Sequence, residues 1–151
     1  GLPESGSVVM PKGTVVKADK VMPFSPPGAE DIYVSRMLLD KDNCGSEGLQ
    51  VNHGVVKPGR SLPGAAHPVP YDEIYYVLSG EASLRMDDVD YDLEPGSVVF
   101  IPADTFHALT NKSQTEEFVI LTIWPGTPEP GANEVYDTRK EAWGTSYREI
   151  D

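Results

Sequence analysis

Apolar and polar residues alternate in short runs along most of the chain, which is the pattern of β-strands whose successive side chains face opposite ways. In the run "LQVNHGVV", the alternation places Val51, His53 and Val55 on one face, which we expect to point towards the core. The run "IYYVLSGEASLRM" predicts a hairpin, with its turn at or near Ser79-Gly80. Further short apolar runs bring the predicted number of strands to about ten.

The two ends of the chain carry different patterns. The segment "GSVVMPKGTVVKADKV" predicts two brief strands, and "YDTRKEAWGTS" predicts one short helix that stops at Gly144. Many short strands with a single terminal helix predict an all-β sandwich or barrel. Closing such a sheet places alternate residues inside and leaves a pocket at the wider mouth. A chain of 151 residues suits one domain, spanning 1–151.

Composition narrows the choice of partners. The chain has 24 acidic and 12 basic residues, a net charge of −12, so we expect neither a nucleic-acid partner nor a membrane partner. No run approaches the ~18 apolar residues of a membrane span, and the N-terminal residues do not resemble a signal peptide. The single cysteine, Cys44, cannot form an internal disulfide, which favours a cytoplasmic setting. The acidic segment "DDVD" lacks the spacing of a calcium loop and is predicted to be a solvated turn.

The candidate chemistry lies in His67, Glu73 and His107. On one extended strand, the odd-numbered residues from 67 to 77 share a face, which would align His67, Tyr71 and Glu73. A carboxylate in a run as apolar as "EIYYVL" is costly to bury unless it is paired or bound to a metal. Two imidazoles and one carboxylate suit a single divalent ion of iron, manganese, nickel, cobalt or zinc. The alternative is that Glu73 pairs with a basic residue and the histidines are satisfied core residues.

The spacing of these residues resembles the two sequence motifs of the cupin family. The residues that match the first motif, His-x-His followed by Glu and Gly, are His67, Glu73 and Gly80, with Val69 in the place of the second histidine. The residues that match the second motif, Gly, Pro-x-Gly, His and Asn, are Gly96, Pro102, His107 and Asn111, with Asp104 in the place of the second Gly. The resemblance covers about residues 50–124. It implies a double-stranded β-helix, the jelly-roll barrel of cupins, in which His67, Glu73 and His107 bind one divalent metal ion.

Three departures from the family pattern concern the fourth ligand, one turn and the loop before His67. Seven residues separate Gly59 from His67 instead of five, which predicts a slightly longer loop at the pocket mouth. Val69 cannot bind a metal, but three protein ligands suffice in many catalytic zinc and iron(II) sites. Asp104 tolerates a left-handed backbone conformation better than most residues, so we expect the turn to survive. His53 would fill the vacant position if its strand lies beside His67; otherwise it is a buried hydrogen-bonding residue or a general base. Tyr71, as a phenol facing the cavity, is expected to catalyse or to hydrogen-bond rather than to bind the metal.

The remaining predictions concern substrate and function. Tyr75, Phe100 and Trp124 are candidates for the pocket lining, with plain core positions as the alternative. The cupin resemblance implies a metal-dependent enzyme acting on a small oxygenated organic molecule, by oxygenation, isomerisation, cyclisation or lyase chemistry. His53 or Tyr71 would then move protons. Two alternatives stay open: a non-catalytic small-molecule-binding cupin with a degenerate metal site, and a sugar-binding or sugar-isomerising cupin.

The segments outside the motifs bear on assembly. In the cupin family such segments often pack on a second subunit, and an open sheet needs its edges covered, so we expect a homodimer. The alternative is that the tail from Trp124 onwards folds back on its own barrel.

Overall fold

The computed structural model describes residues 8–151, which form a β-barrel with one longer helix near the C-terminus. The strands are β1 (Tyr33–Leu39), β2 (Gln50–Val56), β3 (Glu73–Ser79), β4 (Ala82–Met86), β5 (Val89–Leu93), β6 (Val98–Ile101), β7 (His107–Asn111) and β8 (Phe118–Trp124). The helices are α1 (Lys41–Cys44) and α2 (Glu134–Trp143), preceded by a 3-10 turn at Ala18–Lys20. None of the described helices combines the length and the apolar character that crossing a bilayer requires.

The strands form two antiparallel sheets that share one core. The larger sheet has the strand order β1-β2-β8-β3-β6, and the smaller has the order β5-β4-β7. Apolar side chains from both sheets meet between them, among them Val77 and Ile120 from the larger sheet and Leu84 and Leu109 from the smaller. The prediction of an all-β jelly-roll barrel with a short C-terminal helix is therefore confirmed.

The interior face of the larger sheet changes from apolar to polar along its strands. At one end, Val56 of β2 lies opposite Phe118 of β8, and both side chains are fully buried. At the other end, Gln50 lies opposite Trp124, and Glu73 begins β3 beside them. The first end is packed core, and the second lines a cavity.

The predicted hairpin around Ser79-Gly80 is wrong. β3 and β4 belong to different sheets, so the chain passes from one sheet to the other at Gly80. Gly80 has a φ of 85°, and a Cβ there would lie 2.4 Å from the backbone oxygen of Glu117, so this position accepts only glycine without strain. Local alternation looks the same for two paired strands and for two strands that enter opposite sheets.

The acidic segment "DDVD" is the solvated turn that the sequence predicts. Asp87 and Asp88 connect β4 to β5, both with positive φ values, 51° and 64°, and both with exposed side chains. Two successive residues of positive φ form the tight turn whose twist matches a two-stranded hairpin.

The N-terminal segment does not form the two predicted strands in the part of the chain that the structure describes. Residues 8–17 contain no strand, and the following residues form a 3-10 turn and isolated bridges from Val21 to Glu149 and from Phe24 to Ser35. Residues 6 and 7, where the first predicted strand begins, lie outside the described residues.

The tail after β8 folds back on its own barrel, which is the second of the two alternatives above. The Asn133 side chain caps α2 by accepting a hydrogen bond from the Tyr136 amide at 2.9 Å, and Gly144 ends the helix in a left-handed conformation. Asp42 of α1 fixes the tail in place, because its Oδ2 accepts hydrogen bonds from Lys140 Nζ at 2.8 Å and from the Ser146 amide at 3.1 Å.

Candidate metal centre and cavity

The fold brings His67, Glu73 and His107 together from three separate segments. Glu73 is the first residue of β3, and His107 is the first residue of β7. His67 lies in the loop before β3, which runs along β7 because Ala65 and His107 exchange backbone hydrogen bonds of 3.0 and 2.9 Å. One possible ligand atom from each of the three side chains lies within 4.8 Å of the other two.

Both imidazoles are oriented by their Nδ1 atoms. His67 Nδ1 lies 3.2 Å from the backbone oxygen of Ala132, and His107 Nδ1 lies 3.0 Å from that of Thr105. A carbonyl oxygen only accepts hydrogen bonds, so each Nδ1 carries the proton in the neutral ring and each Nε2 is left with a free lone pair. Both Nε2 atoms face the carboxylate of Glu73.

The Glu73 carboxylate has one satisfied and one unsatisfied oxygen. Oε2 accepts a hydrogen bond from Trp124 Nε1 at 2.7 Å. Oε1 lies 3.6 Å from His67 Nε2 and 3.5 Å from His107 Nε2, which is too long for a good hydrogen bond, and it is buried without a hydrogen-bond partner.

These spacings fit a shared cation. Ligand atoms at about 2.1 Å from one ion, with angles of about 90–110° between them, are about 3–3.5 Å apart. A buried carboxylate oxygen and two imidazole lone pairs at 3.5 and 3.6 Å are therefore placed like the ligands of one divalent metal ion. The geometry is compatible with the predicted ligand set, and binding of a metal stays a prediction.

The charges of the site reinforce one another. Burial raises the pKa of Glu73, but the interactions with His107, His67 and Trp124 outweigh it and hold that pKa below its ordinary value. Burial lowers the pKa of His107, but its interaction with Glu73 and the Thr105 carbonyl raise it overall. The carboxylate is therefore an anion near neutral pH, and it favours a positive charge between the two rings.

The structure contradicts the prediction that His53 faces the cavity. Gln50 and Asn52 on the same strand line the cavity, and alternation turns His53 to the outer face of the sheet. There its ring lies near Arg36, its partner residue in β1, and burial together with Arg36 lowers its pKa. His53 therefore cannot replace the ligand missing at Val69.

Tyr71 forms a hydrogen bond, which is one of its two predicted roles, but it does not face the cavity as predicted. Its ring stacks on Trp124, with ring centres 5.0 Å apart, and its hydroxyl accepts a hydrogen bond from the Glu129 amide at 2.8 Å. The hydroxyl thus anchors the tail, and Tyr71 does not line the cavity. The shared face predicted for residues 67–77 fails here because β3 begins only at Glu73.

The three predicted lining residues divide between the two faces of the larger sheet. Tyr75 and Trp124 are buried and line the cavity. Phe100 lies opposite Ile74 on the outer face with 58% of its surface exposed, so its prediction as a lining residue is wrong. Its strand, β6, turns Val99 and Ile101 inwards instead.

The structure shows where Val69 and Asp104, two of the departures from the family motifs, are placed. Val69 is 72% exposed, so its side chain is turned out of the site. Asp104 has a φ of 62°, the left-handed conformation that its sequence position predicts, and its amide donates to the His67 carbonyl at 2.6 Å. The residue in place of glycine therefore keeps the turn and also fixes the backbone of His67.

A cavity of about 390 Å³ opens beside Glu73 and the two histidines. Most of its lining is apolar and aromatic, but it also contains the polar residues Ser35, Gln50, Asn52 and Arg139, which sequence reasoning missed. In β2 the signal was present, since Gln50 and Asn52 alternate with Val51 and His53. The sequence predicts that Val51 and His53 face the core, but at this end of β2 the side chains that face inwards are Gln50 and Asn52.

The sequence of residues 52–124 matches the family described as "Cupin domain". The chain belongs to the cupin superfamily. The matched region begins in β2 and ends at Trp124, the last residue of β8, so it contains all three residues of the candidate metal centre. The α2 helix and the tail that anchors His67 lie outside it.

Proteins similar to this cupin come from several sources. Protein SchB of Streptomyces halstedii is 29% identical over 100 residues, which cover 66% of this chain and 72% of SchB. The structure of the polyketide cyclase RemF from Streptomyces resistomycificus matches with a TM-score of 0.67 and 24% identity, over 79% of this chain and 83% of RemF. KdgF from Halomonas sp. matches with a TM-score of 0.64 and 16% identity, over 77% of this chain and 96% of that one. At these identities, the two solved structures show a shared fold.

Proposed function

We propose that this cupin is a metal-dependent enzyme that isomerises or cyclises a small, largely apolar organic molecule at a ketone or enol oxygen. The observation that carries the proposal is the unsatisfied Glu73 Oε1, buried between two imidazole Nε2 atoms at one side of the cavity. His67, Glu73 and His107 would hold the metal. A divalent ion bound there supplies a Lewis acid that polarises an oxygen of the substrate.

The surrounding residues hold the site in one geometry. Trp124 fixes Glu73 through its indole N–H, and its ring packs against His67 with ring centres 4.6 Å apart. The backbone oxygen of Ala132 holds Nδ1 of His67 in place. Partners of this kind keep ligand side chains in place and fix the tautomer of each imidazole ring.

Tyr75 would act as a hydrogen-bond donor to the substrate. Burial, and then the negative charge of Glu73, raise the pKa of Tyr75 well above its ordinary value, so the phenol stays protonated. Its ring lies 6.2 Å from the His107 ring and lines the cavity. A neutral phenol in this place can donate to an oxygen that gains negative charge as the substrate enolises.

The lining of the cavity favours an apolar substrate over a sugar. Leu109, Ile120 and Trp124 line its walls, and a volume of about 390 Å³ is within the range of pockets for small molecules. A sugar needs polar partners for most of its hydroxyls, whereas most of this lining is apolar and aromatic. RemF is a polyketide cyclase, and its similarity to this chain shows the fold alone, so the choice of chemistry rests on the cavity.

Hydrogen exchange at a ketone tests the proposal without knowledge of the natural substrate. We expect zinc- or iron(II)-loaded protein to accelerate deuterium incorporation at the α-carbon of 2-tetralone, a flat apolar ketone, followed by NMR in heavy water. His107→Ala should reduce the rate to the uncatalysed level. His53→Ala removes a histidine from the outer face and should keep the rate of the unmodified protein.

The outcomes separate the candidate functions. Equal rates for His107→Ala and His53→Ala would contradict the proposed site. Oxygen consumption with 2-tetralone would indicate oxygenation in place of isomerisation. Full metal content without any acceleration would favour the alternative of a non-catalytic binding cupin.

A further inference from the structure

Arg139 of α2 is a buried cation beside the cavity with few partners. Its side chain lines the cavity, and only 1% of the residue is exposed. A guanidinium carries several N–H donors, but among residues 8–151 the hydrogen bond that the structure gives it runs from Nη1 to Ser35 Oγ at 3.0 Å. Its Nε is buried without a partner. Burying an incompletely paired charge is unfavourable, so the free donors call for an acceptor that the protein does not itself provide.

The two carboxylates whose charges act on Arg139, those of Asp40 and Asp42, are engaged with other partners. Asp40 accepts from the amides of Asp42 and Asn43, at 3.0 and 3.2 Å, and from the Ser146 hydroxyl. Asp42 accepts from Lys140 at 2.8 Å. Asp40 therefore attracts Arg139 from a distance without satisfying its donors.

The position of the guanidinium is fixed by contacts that leave its donors free. The guanidinium carbon, Arg139 Cζ, lies 5.9 Å from the ring centres of both Phe24 and Tyr136, as in cation–π contacts. Ser35, the residue that accepts from Arg139, donates in turn to Asn52 Oδ1 at 2.6 Å. Asn52 also lines the cavity, so the network orders this part of the wall.

This polar group is well separated from the candidate metal centre. Ser35 is on β1 and Glu73 is on β3, with β2 and β8 between them. Three strand spacings correspond to about 14 Å along the sheet, and the curvature of the barrel shortens the direct path. Ile120, on β8, and the aromatic Tyr75, on β3, also line the cavity.

We propose that Arg139 forms an anion subsite of the same cavity, which binds a carboxylate of the substrate while another oxygen lies at the candidate metal centre. This inference rests on the proposed function and specifies its substrate class: an elongated, mostly apolar molecule with an acidic group at one end and a ketone, enol or phenol at the other. Two- and three-carbon acids are too short to reach both places. Arg139 alone would provide the attraction for an anion, because the chain as a whole, with a net charge of −12, repels anions.

Two matched probes test the subsite. 6-Hydroxy-2-naphthoate has a carboxylate and a phenol at opposite ends of a flat apolar body, and 6-hydroxy-2-naphthamide is its neutral analogue of the same size. We expect the protein to bind the carboxylate at least about tenfold more tightly than the amide, as a charge-assisted hydrogen bond implies. Titration calorimetry on metal-loaded and on metal-stripped protein measures both affinities.

Variants assign the preference to Arg139. Arg139→Gln should reduce the ratio of the two affinities to below about twofold and leave the affinity for the amide nearly unchanged, which also reports that the cavity is intact. Arg36→Gln is the matched control, because Arg36 is adjacent to Ser35 but turned to the outer face, and it should keep the full ratio. Arg139→Lys retains a point charge and should give an intermediate ratio.

The results distinguish this inference from the proposed function. Equal binding of the two probes by the unmodified protein, or a preference that survives in Arg139→Gln, would overturn the subsite. A preference found only in metal-loaded protein would place the carboxylate at His67, Glu73 and His107, and would also overturn it. If the unmodified protein bound no metal but kept the preference, the subsite would be supported and the proposed metal-dependent function contradicted.

Discussion

At the scale of single residues, Glu73 is the side chain on which the chemistry depends. It is 5% exposed, yet the surrounding indole and imidazoles hold its pKa below the ordinary value. Such an anion attracts a positive charge, and in the absence of a metal a proton on His107 provides it, which is why the pKa of His107 is raised. A metal ion and this proton therefore compete for the same place.

Metal binding should consequently release protons. Below its raised pKa, His107 is mostly protonated and must lose the proton to bind a metal, so apparent zinc affinity should rise with pH and level off above that pKa. Calorimetry in two buffers of different ionisation enthalpy measures the protons released. Glu73→Gln should weaken zinc binding by more than about a hundredfold. It should also reduce the number of protons released on zinc binding near pH 6.5. A zinc affinity that is independent of pH between about 5.5 and 8 would contradict this account.

The sequence predicts the residues of the candidate metal centre better than their surroundings. Glu73 and His107 stand at the motif spacings of the cupin family, and in the structure they are the first residues of β3 and β7. His53 and Phe100 were misplaced because the outer face of the larger sheet is also partly apolar, so alternation alone does not say which face is inside. Arg139 was missed because α2 lies outside the motifs, and its approach to the cavity depends on how the tail folds back.

At the scale of secondary-structure elements, the tail completes the site. The segment before α2 provides the carbonyl that orients His67, and α2 itself provides Arg139. The tail is held by Asp42, which accepts from Lys140 and Ser146. The sequence predicts α2 and its end at Gly144 but leaves open where it packs, because its docking depends on contacts between residues about a hundred positions apart.

Removing the Asp42 charge should loosen the tail. Burial raises the pKa of Asp42, but the hydrogen bond and charge of Lys140 and the hydrogen bonds from Ser146 lower it overall. A lowered pKa means that the stabilisation is present above the ordinary value near 3.9 and is lost as pH falls through the folded-state pKa. We expect Asp42→Asn to lower the free energy of unfolding by about 1–2 kcal/mol at pH 7, measured by urea denaturation.

An exposed ion pair supplies the control for this prediction. Asp90 pairs with Arg85 at 3.1 Å on the surface, with 61% of the Asp90 side chain exposed. Asp90→Asn should change the stability by less than about 0.5 kcal/mol. Equal losses for the two variants would show that Asp42 does not hold the tail.

At the scale of the whole molecule, the outer face of the larger sheet remains uncovered in a single chain. Ile74, Tyr76, Val98 and Phe100 are neighbours on β3 and β6 with 37–66% of their surfaces exposed. A contiguous apolar patch on an acidic protein is typical of a surface that binds another protein. The homodimer expected from the sequence stays a prediction, and this sheet face replaces the tail as its proposed interface.

Sedimentation equilibrium tests the dimer. We expect a mass of about twice the 16.4 kDa of one chain, because association would bury these side chains. The double variant Val98→Lys with Phe100→Glu should sediment as a monomer and keep its zinc affinity, since the candidate metal centre lies on the opposite face of the sheet. A monomeric unmodified protein would contradict the prediction.

The central claim is that His67, Glu73 and His107 bind one metal ion, and anomalous diffraction from zinc-soaked crystals tests it most directly. The account predicts a single strong anomalous peak at about 2.0–2.2 Å from His67 Nε2, His107 Nε2 and Glu73 Oε1. The peak should be absent from crystals of His107→Ala and present in those of His53→Ala. A peak bound to other residues, or none at the three side chains under saturating zinc, would contradict the claim.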